Sequence, residues 1–243
     1  MHIPNGLLDP KVSAGAAFAA AGALGYCISR VRQALAKAAP EALLAGAGNI
    51  VANISDGSKR LAGNIADRHI MKMGAAGSLI FAAQMFNFPV ASGTSGHILG
   101  GILAAIVLGP FSGTIVMSIV LSVQSIFFAD GGISSLGANI LNMAVIGTFA
   151  SYYVYYLLHR SFKNDAGFYS GIFLAGISSV LLASIACSVE MALSGSGQLN
   201  VILPAMAAVH LKIGAAEGLI SIIFVRYLSS QKFDLEGKAA DEE

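Results

Sequence analysis

The chain has 243 residues, 56% hydrophobic and only 11% charged, with a formal net charge of +1. That balance, with a mean hydropathy of +0.73, excludes an ordinary soluble domain, and it offers no basic surface for a nucleic-acid partner. Cys27 and Cys187 both fall in apolar runs, which reads as packing rather than as a disulfide or a paired metal site.

The first element is the start itself, Met1-His2-Ile3-Pro4. A free α-amine, the His2 amide nitrogen and the His2 imidazole close a five-membered and a six-membered chelate ring around one metal ion. A fourth nitrogen would complete a square. That arrangement suits Ni(II) or Cu(II), and low-spin Co(II) also accepts it. The chelate needs the initiator Met to be retained, and His is a large residue for ordinary trimming. Many chains begin this way, so the dipeptide alone does not separate a metal site from an idle start. No basic region and small-residue cleavage site mark a signal peptide.

Apolar runs then predict an all-α integral membrane protein, a bundle of about seven helices near 12–29, 71–88, 97–109, 112–129, 136–158, 168–190 and 200–228. No Asp, Glu, Lys or Arg occurs between Lys72 and Asp130. The third run is short for a span, and Gly100, Gly101, Gly109 and Gly113 let it pack closely. Residues 1–231 read as one transmembrane unit and 232–243 as a polar cytoplasmic tail. Residues 38–70 read as a cytoplasmic insertion, either a helix pair or a loop. Arg30, Arg32 and Lys37 follow the first helix, and Lys59, Arg60, Arg68 and Lys72 precede the second. Arg160, Lys163, Arg226, Lys232 and Lys238 follow later helices. Seven crossings of a cell membrane with the N-terminus outside put all of these on the cytoplasmic side. Met1 and His2 then face the outside. Tyr152, Tyr153, Tyr155 and Tyr156 read as an interfacial belt.

The segment from Gln84 to Gly101 holds the second candidate ligand. Pro89 is expected to end a helix, Gly93 and Gly96 to shape a turn, and His97 to start the next helix. Two readings of His97 stay open: the fourth nitrogen of the metal square, or a helix cap. Gln84 and Asn87 share a helix face, as do Asn139 and Asn142. Such amides either tie helices together or orient ligand imidazoles, and Thr94 and Ser95 in the turn invite the same second use. Asp130 before Gly131-Gly132 reads as a cap or a ligand. His210 and Glu217 lie two turns apart on one face, where they pair with Lys212 or line a polar cavity.

Met1-His2-Ile3-Pro4 with Gly6, the Phe81–Pro89 segment, Gly93-Thr94-Ser95-Gly96-His97 with Gly100-Gly101, Asp130-Gly131-Gly132, the 137–143 stretch and His210…Gly214…Glu217 are the telling motifs. Together they resemble the substrate-binding membrane component of cobalt and nickel energy-coupling-factor transporters, the CbiM/NikM family. The resemblance covers nearly the whole chain except 38–70. It implies a seven-helix bundle with the N-terminal segment inserted into its core. It implies Co(II) or Ni(II) as cargo, held by the Met1 amine, the His2 amide and imidazole, and His97, with no organic cofactor. His210, Glu217, Asn139 and Asn142 would then serve structure or coupling. It further implies a transmembrane coupling subunit, cytoplasmic ATPase subunits and a small accessory membrane subunit, and a leaning to cobalt for cobalamin synthesis. The chain departs from the family at Asn5, usually Asp, at the long 38–70 stretch and at Lys212. It carries no GxxxxGK[ST] phosphate loop, so ATP hydrolysis is expected from partners and the chain is not expected to be an enzyme. Two alternatives stand beside this reading. A stand-alone secondary transporter calls for inverted repeats, which the sequence does not display. An intramembrane hydrolase calls for a nucleophile in a recognisable setting, and none is seen.

Overall fold

The computed structural model describes residues 1–46, 54–85, 88–89, 95–162 and 164–230. Among these the chain is a helical bundle. Its elements are α1 (Pro10–Gly46), α2 (Ile54–Gln84), α3 (Gly101–Phe127), α4 (Leu136–Ser161), α5 (Asp165–Leu193) and α6 (Leu199–Ser230). A two-residue strand β1 (Phe88–Pro89) pairs antiparallel with β2 (Ser95–Gly96) between α2 and α3.

Six helical runs therefore stand where seven were expected, because 97–109 and 112–129 fall into the single run α3. That run is broken. Gly109 has φ 74 and ψ 163, and Pro110 follows it. A Cβ on Gly113 would lie 3.0 Å from the carbonyl carbon of Ala104, nine residues earlier. In a straight helix those positions stand about 13 Å apart. The chain thus doubles back at Gly109, whose backbone angles a side chain would oppose. A short arm, 101–108, is packed against a longer return arm, 110–127. Eight residues rise only about 12 Å, less than half the hydrocarbon core.

Five helices are long and apolar enough to cross a membrane: α3, α4, α5, α6 and residues 10–38 of α1. The predicted span at 71–88 is not among them, because α2 ends at Gln84 and its first half carries charge. The stretch 38–70 is taken up by the extensions of α1 to Gly46 and of α2 from Ile54, and its centre and the tail 232–243 lie outside the described residues. Pro89 does not end α2 but sits in β1, five residues past the helix. The core is built by α3, α4 and α5 with α6, and holds Ile102, Ile106, Met117, Met143, Ile172 and Met206. By contrast α1 is peripheral and turns Phe18, 85% exposed, outward, as a lipid-facing helix would.

Within α4 the residues Ile140–Ile146 form a π-helical segment. The wider turn breaks the helical spacing. As a result Asn139 and Asn142, read as sharing one face, part company: each reaches a different element, as described next.

Candidate metal-binding site

The N-terminal segment is not a surface tail. Met1 is 2% exposed, His2 4% and Ile3 0%. Burying Ile3 contributes about 1.5–3 kcal/mol, but the segment's polar backbone must also be matched. It is matched from the loop after α3 and the start of α4. Ile3 N–H donates to Asn139 Oδ1 at 2.9 Å, and Asn139 Nδ2 donates back to the Ile3 carbonyl at 3.2 Å. Gly132 N–H adds a second donor to that carbonyl at 2.9 Å. Ser135 Oγ donates to the Pro4 carbonyl at 3.0 Å. Farther along, Ser196 Oγ donates to the Leu7 carbonyl. The segment runs so close to Gly132 that a Cβ there would lie 2.4 Å from the Asn5 nitrogen, which leaves room only for glycine. Asn5 Oδ1 accepts from the Ser134 amide at 3.0 Å and hydroxyl at 2.9 Å. Those bonds need an acceptor and no charge, so Asn fills the position that the resemblance gives to Asp.

This strap carries the His2 ring to His97. Their ring centroids are 4.6 Å apart with planes inclined by 28°. His97 precedes α3 by four residues instead of starting it, and it caps no helix: the cap position is Gly100, with φ 81. His97 Nδ1 lies 2.8 Å from the Ile98 carbonyl, which can only accept. Nδ1 therefore carries the proton and Nε2 presents its lone pair. That Nε2 is buried with no hydrogen-bond partner, as is His2 Nε2. Two orphaned ring nitrogens in one buried place are costly unless something else occupies them.

The loop holding His97 is pinned from two sides. Gln84 Nε2 donates to the Leu99 carbonyl at 2.5 Å. Glu217 Oε2 accepts from the Leu99 amide at 2.6 Å, and its carboxylate lies within electrostatic reach of the Gly100, Gly101 and Ile102 amides. Glu217 thus sets a carboxylate at the start of the short arm, where a negative group is favoured. It does not pair with Lys212, which is exposed on the outer face of α6. His210, also buried, sets Nδ1 2.7 Å from the Met206 carbonyl and leaves Nε2 without a partner. It lies within electrostatic reach of the Met1 amine. Asn142 Nδ2 donates to Glu190 Oε2 at 2.6 Å, away from the imidazoles. Asn87 and Thr94 lie outside the described residues, and so does the side chain of Ser95.

Two acidic residues matter more than the sequence suggests. Asp130 Oδ1 is 2.9 Å from His2 Nδ1, although not aligned as a hydrogen bond to that nitrogen. Glu190, unremarked in the apolar run of α5, receives Asn142. Asp130 is signalled by its place at the end of the charge-free stretch and before Gly131-Gly132. Burial pushes the Met1 amine down to about 5. Burial likewise lowers His2, with Asp130 opposing the shift, and lowers His97 further, helped by the amine and His2 beside it. Three neutral nitrogen donors therefore meet in one dry place.

Comparison with known proteins agrees with this architecture. Residues 37–235 match the model of the CbiM family, described as the cobalt uptake substrate-specific transmembrane region. A putative fused nickel transport protein NikMN of Archaeoglobus fulgidus is 36% identical over 99% of this chain and 70% of its own length. The cobalt transport protein CbiM of Moorella thermoacetica is 32% identical over 71% of each chain. The crystal structure of a truncated transition metal transporter superposes with a TM-score of 0.76 at 27% identity, over 95% of this chain and 99% of that one. The S component of a bacterial ECF transporter shares the fold alone, with a TM-score of 0.51 at 17% identity over 70% of this chain and 99% of that one. Fold and likeness together define a multi-pass membrane protein of cobalt or nickel transport. The chain belongs to the CbiM family.

Proposed function

We propose that this chain captures Co(II) or Ni(II) for an ATP-driven importer of the energy-coupling-factor type. The ion is held by the Met1 amine, the His2 amide nitrogen and imidazole, and the His97 imidazole. One observation carries the reading: the amino end is buried in the bundle with His2 stacked on His97, and His2 Nδ1 and His97 Nε2 both lack hydrogen-bond partners. The His2 chelate closes through Nδ1, so that nitrogen turns from Asp130 to the metal. The Asp130 carboxylate then balances charge. A divalent ion, one deprotonated amide and one carboxylate sum to zero, which is what a buried site requires. Asn139 and Gly132 hold the strap that delivers the amine, and Glu217 with Gln84 holds the loop that delivers His97. The N-terminus faces the outside, where cargo arrives, and the basic ends of α1, α2 and α4 face the cytoplasm. A coupling subunit and ATPases supply the energy, since the sequence has no phosphate-binding loop of its own. Relatives bear names for nickel and for cobalt. Affinity order at a nitrogen site favours nickel, and metal analysis of the isolated protein with competition between the two ions decides.

The test is calorimetric titration of Co(II) and Ni(II) against the protein and a form with Gly-Ser-Gly-Ser placed before Met1. The extension carries the amine away from the His2 amide and removes the five-membered ring. The expected loss exceeds about 100-fold, more than an outer hydrogen-bond partner is worth. Unchanged affinity refutes the site. Reconstitution into vesicles separates the energetic part: uptake without any ATPase points to a secondary transporter instead.

Acid weakens binding. The amine and imidazoles are already neutral near pH 7, but the amide must lose its proton at any pH. Each proton released makes affinity fall about tenfold per pH unit of acidification. Between pH 8 and 6 we expect that slope or steeper, the amine adding a second proton as pH nears 5. A flat profile removes the amide from the ligand set.

A further inference from the structure

The doubled-back turn of α3 lies at the far end of the short arm from His97. There α1, α2 and the turn enclose a cavity of about 610 Å³. Arg30, Arg68 and Lys72 line it, and among its described lining residues there is no Asp or Glu. Asp67 is exposed and borders a neighbouring recess that Arg68 also lines, without an ion pair between them. Neither Arg30 nor Arg68 pairs with a carboxylate among the described residues. Arg30 is held in place: its guanidinium lies 5.0 Å over the Phe111 ring, and Nη1 donates to Tyr26 Oη at 3.3 Å. His69 Nε2 stands 2.8 Å from Ser112 Oγ, which ties α2 to the turn. Pro110 opens the return arm, so the positive end of that helix faces the same space. The wall also holds the apolar side chains of Val31, Leu35 and Leu108.

Two guanidinium groups, those of Arg30 and Arg68, share this hollow, and no carboxylate among its described lining residues offsets them. A fork of guanidinium groups matches the oxygens of a phosphate. Basic pockets between membrane helices recognise phosphorylated headgroups in this way. We propose that this cavity binds the phosphate of an anionic ligand, contacted by Arg30, Arg68 and Lys72, at the opposite end of the bundle from the imidazoles. The apolar part of the wall suits the acyl part of a lipid; a soluble phosphate ester shares the chemistry.

Native mass spectrometry of the whole purified protein, with phosphatidylglycerol or phosphatidylcholine added, tests the first source. Titration with glycerol 3-phosphate tests the second. We expect phosphatidylglycerol to be retained over phosphatidylcholine by at least about tenfold. The double change Arg30→Gln, Arg68→Gln should weaken that retention roughly 10- to 30-fold. Arg160→Gln, a basic residue outside the cavity, should leave it unchanged. Ala34→Phe fills the hollow without removing charge and should mimic the double change. It keeps the question open to refutation if the double variant is not monodisperse. Glycerol 3-phosphate bound with the same dependence, and no lipid preference, assigns the site to a soluble ester. No preference in either arm, or an equal loss on Arg160→Gln, overturns the proposal.

Discussion

Replacing His97 with alanine is expected to cut Co(II) and Ni(II) affinity by more than about 100-fold while leaving the bundle folded. The loss is large because a square of nitrogens with one corner missing must borrow a weaker donor or water. Stability should move little, since two effects oppose. Removing the ring leaves a cavity, at a cost of about 2–3 kcal/mol. It also removes a buried nitrogen without a partner, which relieves about 1–3 kcal/mol. Calorimetric titration reads the first quantity and thermal unfolding the second. The visible absorption of the Ni(II) complex adds an independent signal, because the band of a four-nitrogen square must disappear. Intact affinity in this variant would end the case for His97.

Glu217→Leu is expected to damage both stability and binding. The carboxylate accepts the Leu99 amide at 2.6 Å and lies within electrostatic reach of the next three amides. Leucine leaves the Leu99 donor buried and unmatched, at about 1–3 kcal/mol. The thermal midpoint should fall by a corresponding amount, and metal affinity should drop because the His97 loop is no longer fixed. Glu217→Gln keeps an acceptor oxygen at the same reach and should recover most of the stability. A leucine variant as stable as the parent, or a glutamine variant no better than leucine, would show that the clamp carries no weight.

The membrane character, the apolar helices and the two histidines are legible in the sequence because each rests on local chemistry. Apolar runs report burial or lipid directly, and the Met1-His2 start displays its chelating atoms in order. The remaining parts of the site are not local. Glu217 reads as a membrane-embedded acid in search of a cation, and Lys212 stands close by in sequence. Its real partner is a backbone amide 118 residues away, at Leu99. Asn139 reads as a helix tie or a support for an imidazole. It instead matches the peptide group of Ile3, 136 positions distant. No spacing rule anticipates either pairing. The turn at Gly109 was marked by glycine and proline, yet the fold-back is visible only in the approach of Gly113 to Ala104. The second predicted helix stands as the last part of α2, shortened because the chain stops it at Gln84 in favour of a short strand pair, and its charged first half keeps it out of the helices that length and composition select as spans.

The grip of Asn139 and Gly132 on Ile3 bears on the order of assembly. A ribosome adding about 5–20 residues per second needs on the order of ten seconds to bring Asn139 out after Ile3. Throughout that wait the earliest-made residues have no mates. The beginning of the polypeptide is thus the closing piece of the molecule, seated once the later helices have formed its socket.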